Sequence, residues 1–383
     1  MFPCDLRYPR ARESELPRSC LSGAEVPSIR GFRDPLGGVV VLGEVVTGKA
    51  MDAGVNYPWF SYGWDFGPAP PGWRSGNDPA WVPHIGRHLQ HLAALGISVI
   101  RWFILGDGLT YGTGPDAPKL DPFATRERAG WKFGPPALAR EFQEHFEALL
   151  QSFAAQSARP HPVRLLPVLV DYRFCEPGTW PDVGWVKGGR AEAITANRRR
   201  FIEQVLRPLL RLSSGYRDAI YAWDVFNEPE WVTNGWHPDR RNDHPVNESE
   251  MRAFLEDSMS AIRQAGFKST IGFSTIETIR RTRLYADINQ FHHYTDGSRS
   301  LERNPFDPRH PGIIGEFATS TAEDTWPELR QRSQRILERL RLAKSQGYVL
   351  ALAWSFQAAD RHTSWTPQTE NDIQCFTQGR NCH

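Results

Sequence analysis

The stretch AIYAWDVFNEP, residues 219–229, decides how this sequence folds. It opens as a nearly unbroken apolar run and closes on Asn227-Glu228-Pro229. A strand apolar at consecutive positions is buried on both faces, as in a parallel sheet covered by helices; a half-exposed strand alternates apolar with polar. Proline has no N–H to give to a ladder, so it marks where the chain leaves the sheet. Helical periodicity flanks the run, with ANRRRFIEQVLRPLLRL (196–212) before it and SEMRAFLEDSMSAIRQAG (249–266) after it. A strand between two amphipathic helices is the unit of an α/β fold.

The unit recurs in both directions. Upstream lie AGVNYPWF (53–60), the helix WVPHIGRHLQHLAALG (81–96), ISVIRWFI (97–104), the helix PPALAREFQEHFEALLQSFAAQ (135–156) and VRLLPVLVDY (163–172). Downstream lie STIGFST (269–275), INQFHHY (288–294), GIIGEF (312–317), the helix PELRQRSQRILERLRLAKSQG (327–347) and YVLALAWSF (348–356). These runs predict eight strands, and every connection holds at least a short helix except the one after Tyr294, which is doubtful. Eight repeats favour a closed (β/α)8 TIM barrel over an open sheet. No glycine-rich phosphate loop follows the first strand, which weakens a nucleotide-binding reading. The expected organisation is an N-terminal arm or hairpin over 1–50, with Val39–Val46 as its strand, a catalytic barrel over 51–360, and an irregular C-terminal tail over 361–383.

Composition bounds the function. Of 383 residues, 40% are hydrophobic and 23% charged, enough apolar material for a large core. A net charge of +1, with no basic block interleaved with aromatics, argues against a nucleic-acid partner. No run approaches the roughly 20 apolar residues that cross a membrane. The 14 tryptophans are the unusual feature. Trp102 and Trp223 sit inside strands and read as core. Trp64, Trp180, Trp231, Trp236 and Trp365 fall in loops on the predicted C-terminal face, where flat aromatic rings suit sugar faces.

Barrel enzymes work at the C-terminal ends of their strands. Those ends collect Arg101, Asp171, Asn227-Glu228, His292-His293-Tyr294, Glu316 and Trp354. Two carboxylates on opposite sides of a narrow mouth are what glycoside hydrolysis needs: one donates a proton to the leaving oxygen, the other attacks the anomeric carbon. A separation of roughly 5 Å marks the double-displacement, retaining geometry. Arg101 is expected beside Glu316, holding it ionised through a charge-assisted hydrogen bond, with Tyr294 sharing the same oxygen. Adjacent His292 and His293 point to opposite sides of a strand, and His292, on the face of Tyr294, is the one expected inside. Asp224 is placed to pair inside the barrel wall. Asn-Glu-Pro alone is an ordinary turn; its weight comes from the Ile-Gly-Glu316-Phe run three strands later. Glu44, Glu176, Glu230 and Glu277 are rival carboxylates, Glu230 the most serious. The arginine runs 198–200, 280–283 and 330–341 read as solvated helix faces.

The set Arg101, Asn227-Glu228-Pro229, His292-x-Tyr294, Ile-Gly-Glu316-Phe and Trp354 resembles the clan A glycoside hydrolases, especially the family 5 cellulases and mannanases, over roughly residues 53–357. The resemblance implies Glu228 as acid/base, Glu316 as nucleophile, Asn227 against the sugar 2-hydroxyl, Trp354 as the platform beneath that sugar, and His292 with Tyr294 as a supporting pair. It departs from the family after strand 3, where Asp171-Tyr172-Arg173 stands in place of a frequent histidine. The implied reaction needs no cofactor and no metal, and its partner is a β-linked glucan or mannan, cut internally or from an end, by hydrolysis or transglycosylation. Two rivals stand beside it. One is a metal-dependent hydrolase using Asp171, His292 or His293 and Glu316, although strand 1 offers Asn56, Tyr57 and Trp59 rather than a His-x-His. The other is a sugar-binding barrel without turnover. Cys4 and Cys20 lie near one end, Cys375 and Cys382 near the other and Cys175 alone between them, which fits two terminal disulfides plus one free thiol, the pairing left open, or five cytosolic thiols. The reading leans to an exported protein whose leader is absent from this sequence, with the cytoplasm left open.

Overall fold

The computed structural model describes residues 51–60, 65–67, 81–105, 137–138, 140–157, 161–175, 178–180, 185–187, 191–237, 245–331, 333–357 and 360–382. The expected arm over 1–50, with Cys4, Cys20 and Glu44, lies outside them, as do Trp64, Glu176 and the side chain of Trp180.

Eight strands close a parallel barrel: β1 Asp52–Asn56, β2 Val99–Phe103, β3 Arg164–Asp171, β4 Trp223–Asn227, β5 Ser269–Phe273, β6 Asn289–His292, β7 Gly312–Ala318 and β8 Leu350–Trp354, each paired to the next and β8 to β1. Each falls inside a run predicted from apolar patterning, give or take a residue. Nearly every strand residue is buried because the barrel interior takes one face and the helices the other. Val99, Leu166, Ile288, Ile313, Leu350 and Leu352 form a small apolar cluster separate from the larger core, where Trp102, Trp223 and most helix-facing residues gather.

The helices are α1 Trp81–Ala94, α2 Arg140–Ser157, α3 Arg198–Phe201, α4 Arg207–Ser213, α5 Glu248–Gln264, α6 Ile276–Thr282, α7 Ile336–Ser345 and α8 Pro367–Thr377. A π-helical segment, Ile202–Leu206, joins α3 to α4 and places Pro208 early in α4, where its missing N–H costs little. Between β6 and β7 the chain forms no helix, in keeping with the doubtful connection after Tyr294.

Three expectations are corrected. The continuous helix predicted over 327–347 is a single turn at Pro327–Leu329 followed by α7. The arginines of that stretch are not all solvated: Arg339 is fully buried, donates to Asp324 Oδ2 at 3.0 Å and lies over the Trp326 ring. Helical periodicity does not separate a buried pair from an exposed face when the partner, Asp324, comes from another segment. The tail over 361–383 is not irregular either. It carries α8, opened by a Thr366/Thr369 capping box and Pro367, and Cys375 bonds to Cys382. α8 sits against the end of α1, where Thr377 Oγ1 donates to Leu95 O at 2.8 Å and a Cβ on Gly96, at φ +82°, would strike Thr377. The tail is therefore the helix that follows β8 and belongs to the barrel.

Candidate active site

At the C-terminal mouth the strand ends deliver a polar layer built around one guanidinium. Arg101, fully buried, donates from Nη1 to Glu316 Oε1 at 2.5 Å and to Asn56 Oδ1 at 3.1 Å, from Nη2 to Asn227 Oδ1 at 2.6 Å, and from Nε to Asp224 Oδ2 at 2.9 Å. Asp224 is satisfied further by Gln290 Nε2 at 2.8 Å and by the Gly272 backbone N–H at 3.0 Å. A planar fork of five donors suits this radial arrangement, which a lysine ammonium could not span. Room for it comes from Gly272, where a Cβ would stand 2.9 Å from Arg101 Nη2. Asn56 and Gln290 were not singled out from the sequence as partners. The available signal was a polar residue on an apolar strand, two positions before His292 in the case of Gln290.

Glu316 stands on this network. Its second oxygen accepts from Tyr294 Oη at 2.8 Å, so tyrosine and arginine divide the two oxygens, which corrects the expectation that they share one. Burial pushes the Glu316 carboxyl up from its ordinary range, while His292, Arg101 and the Tyr294 hydroxyl pull it back. Burial also pushes the Tyr294 phenol up, aided by the Glu316 charge, so it stays a donor.

Glu228 faces Glu316 from the end of β4, in a left-handed backbone conformation (φ 53°, ψ 54°) unusual for a side-chain-bearing residue. Its N–H donates to Gly272 O at 2.6 Å. Glu228 Oε1 lies 2.9 Å from His292 Nδ1, and Oε2 accepts from Trp231 Nε1 at 2.9 Å. Burial lowers His292 to about 4, against the pull of Glu316, so its ring is neutral. Ligand-capable atoms of Glu228, His292 and Glu316 all lie within 4.8 Å of one another. Asp171 is not part of that group. It accepts from Asn227 Nδ2 at 2.7 Å and from Arg173 N at 3.0 Å, and burial lifts it to about 6 against the pull of Arg173 and Asn227. A cation on this trio would meet the Arg101 charge already bonded to Glu316, so the electrostatics oppose a metal there.

The remaining residues divide. Trp354 is part-exposed at the end of β8, with its Nε1 on Asp360 Oδ2 at 2.8 Å and with Trp59 and Phe103 edge-on to its ring. His293 points away from the mouth and packs edge-on to Trp326 at 4.8 Å. Trp236, expected to stack on sugar, is 2% exposed and belongs to the core. Trp365 packs edge-on to Phe356 and donates to Glu370, a core-facing position rather than a cleft one. Both correct the same inference: a loop assignment does not say which way an indole turns. Trp231 stays at the mouth, stacked on His237 at 4.1 Å. Glu230 turns away: buried, it accepts from Ser274 N at 2.5 Å, and burial with the Glu228 charge lifts it to about 7.

The architecture is that of a (β/α)8 barrel. It is similar to the β-1,4-mannanase from Eisenia fetida (TM-score 0.60, 18% identity, 88% of this chain and 93% of that one), to the one from Cryptopygus antarcticus (0.57, 17%, 86% and 90%) and to the β-mannanase of the blue mussel Mytilus edulis (0.55, 16%, 87% and 93%). At such identity the likeness is one of fold. No protein-family model and no curated protein matches the sequence.

Proposed function

We propose that this barrel is a retaining β-glycoside hydrolase, with Glu316 as nucleophile and Glu228 as acid/base. One observation carries the reading: the two carboxylates face each other across the mouth with one oxygen of each within 4.8 Å, which favours the roughly 5–5.5 Å spacing of a retaining site over the roughly 6.5–9.5 Å of an inverting one. Their partners differ in the sense the chemistry asks. Glu316 has a guanidinium and a phenol; Glu228 has a neutral imidazole and an indole. In the first step a Glu316 oxygen bonds to C1, the glycosidic C1–O bond breaks, and the Glu228 proton passes to the leaving oxygen. In the second, Glu228 takes a proton from water as the water oxygen attacks C1, and Glu316 departs as carboxylate. Asn227, held between Arg101 and Asp171, is assigned to the sugar 2-hydroxyl, Trp354 to the sugar face, and His292 and Tyr294 to support. The substrate class is a β-linked glucan or mannan. Mannan is placed first because the neighbours in fold are named as mannanases. Action on chain ends, or transfer to a sugar acceptor, uses the same two groups.

The test is reducing-sugar release from β-mannans and β-glucans by the wild type, Glu316→Gln and Glu228→Gln. Each variant is expected to lose about a thousandfold or more while keeping its melting temperature within a few degrees. Azide should rescue Glu228→Ala on a dinitrophenyl glycoside with retention of configuration. Inverted product or loss on chelation would overturn the proposal. Oligosaccharide binding without turnover would leave only the sugar-binding alternative.

A further inference from the structure

We infer that Trp231 is a positioning residue for Glu228, orienting its carboxyl for proton delivery, and not a sugar-stacking platform. The inference rests on the assignment of Glu228 as acid/base. Its own support is the geometry of one short turn. Pro229–Trp231 forms a single 3-10 turn that begins on Glu228 itself, so the indole returns over the residue three positions back. The Trp231 backbone N–H donates to Glu228 O at 3.2 Å and its ring Nε1–H to Glu228 Oε2 at 2.9 Å. Main chain and side chain are clasped by the same residue.

The turn has little freedom to move. Thr233 Oγ1 donates to Pro229 O at 2.7 Å, and Glu230 is pinned to the Ser274 N–H at the end of β5. Thr233 further bridges to Val246. The indole is backed by His237, centroids 4.1 Å apart and planes 27° apart. The indole has one face covered by imidazole and directs its polar edge at the carboxylate.

The consequence concerns how the carboxyl is oriented. An indole N–H only donates, so it holds Oε2 as its acceptor in either protonation state of the carboxyl. The other oxygen, Oε1, lies beside His292 Nδ1, which is itself 3.6 Å from Glu316 Oε2. Trp231 therefore fixes the rotation of the carboxyl group about its last bond.

The experiment is the leaving-group dependence of kcat/KM for the wild type and Trp231→Phe, using 2,4-dinitrophenyl and phenyl β-mannobiosides and β-cellobiosides together with mannohexaose and cellohexaose. Phenylalanine keeps an aromatic ring and removes the N–H. General-acid help is worth roughly 10²–10⁴ to a poor leaving group and little to a good one. Misorientation should therefore lower kcat/KM about tenfold or more on phenyl glycosides and hexaoses, and less than about twofold on dinitrophenyl glycosides, with KM unchanged. A uniform loss carried by KM across all substrates would make Trp231 a sugar platform and overturn the inference, as would unchanged kinetics. If Trp231→Phe does not fold, His237→Ala, which frees the indole without removing its N–H, takes its place. The same selective pattern is then expected at smaller amplitude, and a flat one is the contrary result. A wild type that cleaves none of these compounds overturns the hydrolase assignment itself; a wild type that cleaves them, with a flat variant, overturns this inference alone.

Discussion

Removing the guanidinium at the centre of the mouth tests the whole reading of the polar layer. Arg101→Met keeps most of the side-chain length and deletes the charge. Four hydrogen bonds go with it, to Asp224, Asn56, Glu316 and Asn227, all in a site sealed from solvent. Two carboxylates then share a buried layer without a cation. Deleting one partner of a buried ion pair costs about 3–5 kcal/mol. The second carboxylate adds less than a full share, because one of the two takes up a proton instead. At about 2.1 cal/mol/K per residue, the unfolding entropy of the Met51–His383 unit is on the order of 0.7 kcal/mol/K, so the melting temperature should fall by about 4–7 °C. Calorimetry at pH 7 and pH 5 measures it. The deficit should shrink at pH 5, where proton uptake by Glu316, already pushed up by burial, becomes easier. Activity should fall by at least about a thousandfold, since Glu316 and Asn227 lose a shared anchor. A deficit below about 1 kcal/mol, or one that grows on acidification, would refute the view of Arg101 as the charge that permits the layer.

Two further outcomes follow from single positions. His293 is buried against Trp326 and its ring is held at about 4, mainly by burial and then by Arg299 and Arg339, against 6.5 for a free ring. Below pH 6.5 the unfolded chain binds a proton that the folded chain refuses. The stability from this depressed value is therefore complete above 6.5 and lost as the pH falls through about 4. His293→Phe should lose less stability than the wild type between pH 7 and pH 4, by on the order of 3 kcal/mol, in urea melts; parallel curves would show that the imidazole does not titrate this way. Gly272→Ala would put a Cβ 2.7 Å from Gln290 Nε2 and 2.9 Å from Arg101 Nη2. It should cost about 1–3 kcal/mol and at least about tenfold in kcat, whereas Gly86→Ala, whose Cβ meets nothing within 4 Å, should be neutral or slightly stabilising. Equal behaviour of the two would argue against the guanidinium needing that space.

What the sequence determined by itself is the barrel and the identity of the groups at its mouth. Apolar runs buried on both faces read correctly because burial on both sides admits few polar residues, so the pattern is set locally by the strand's own environment. The ends of those runs then place Arg101, Asn227, Glu228, His292, Tyr294 and Glu316 on one rim, since parallel strands all finish on the same side. Tertiary structure decided what each group does with its polar atoms. That Arg101 reaches both carboxylate-bearing neighbours and two amides, that Tyr294 takes the oxygen Arg101 leaves, and that Glu230 turns to Ser274 while Glu228 turns to the mouth all depend on side chains from strands far apart in sequence. The tryptophans make the same point in reverse: Trp231, Trp236 and Trp365 looked alike as loop residues, yet one holds a carboxylate, one fills the core and one braces α8. α8 itself was read as irregular because eleven residues with few apolar positions give a weak helical signal. Its capping box and its seat on the end of α1 supply what the local sequence does not, because a short helix draws most of its stability from the surface it covers.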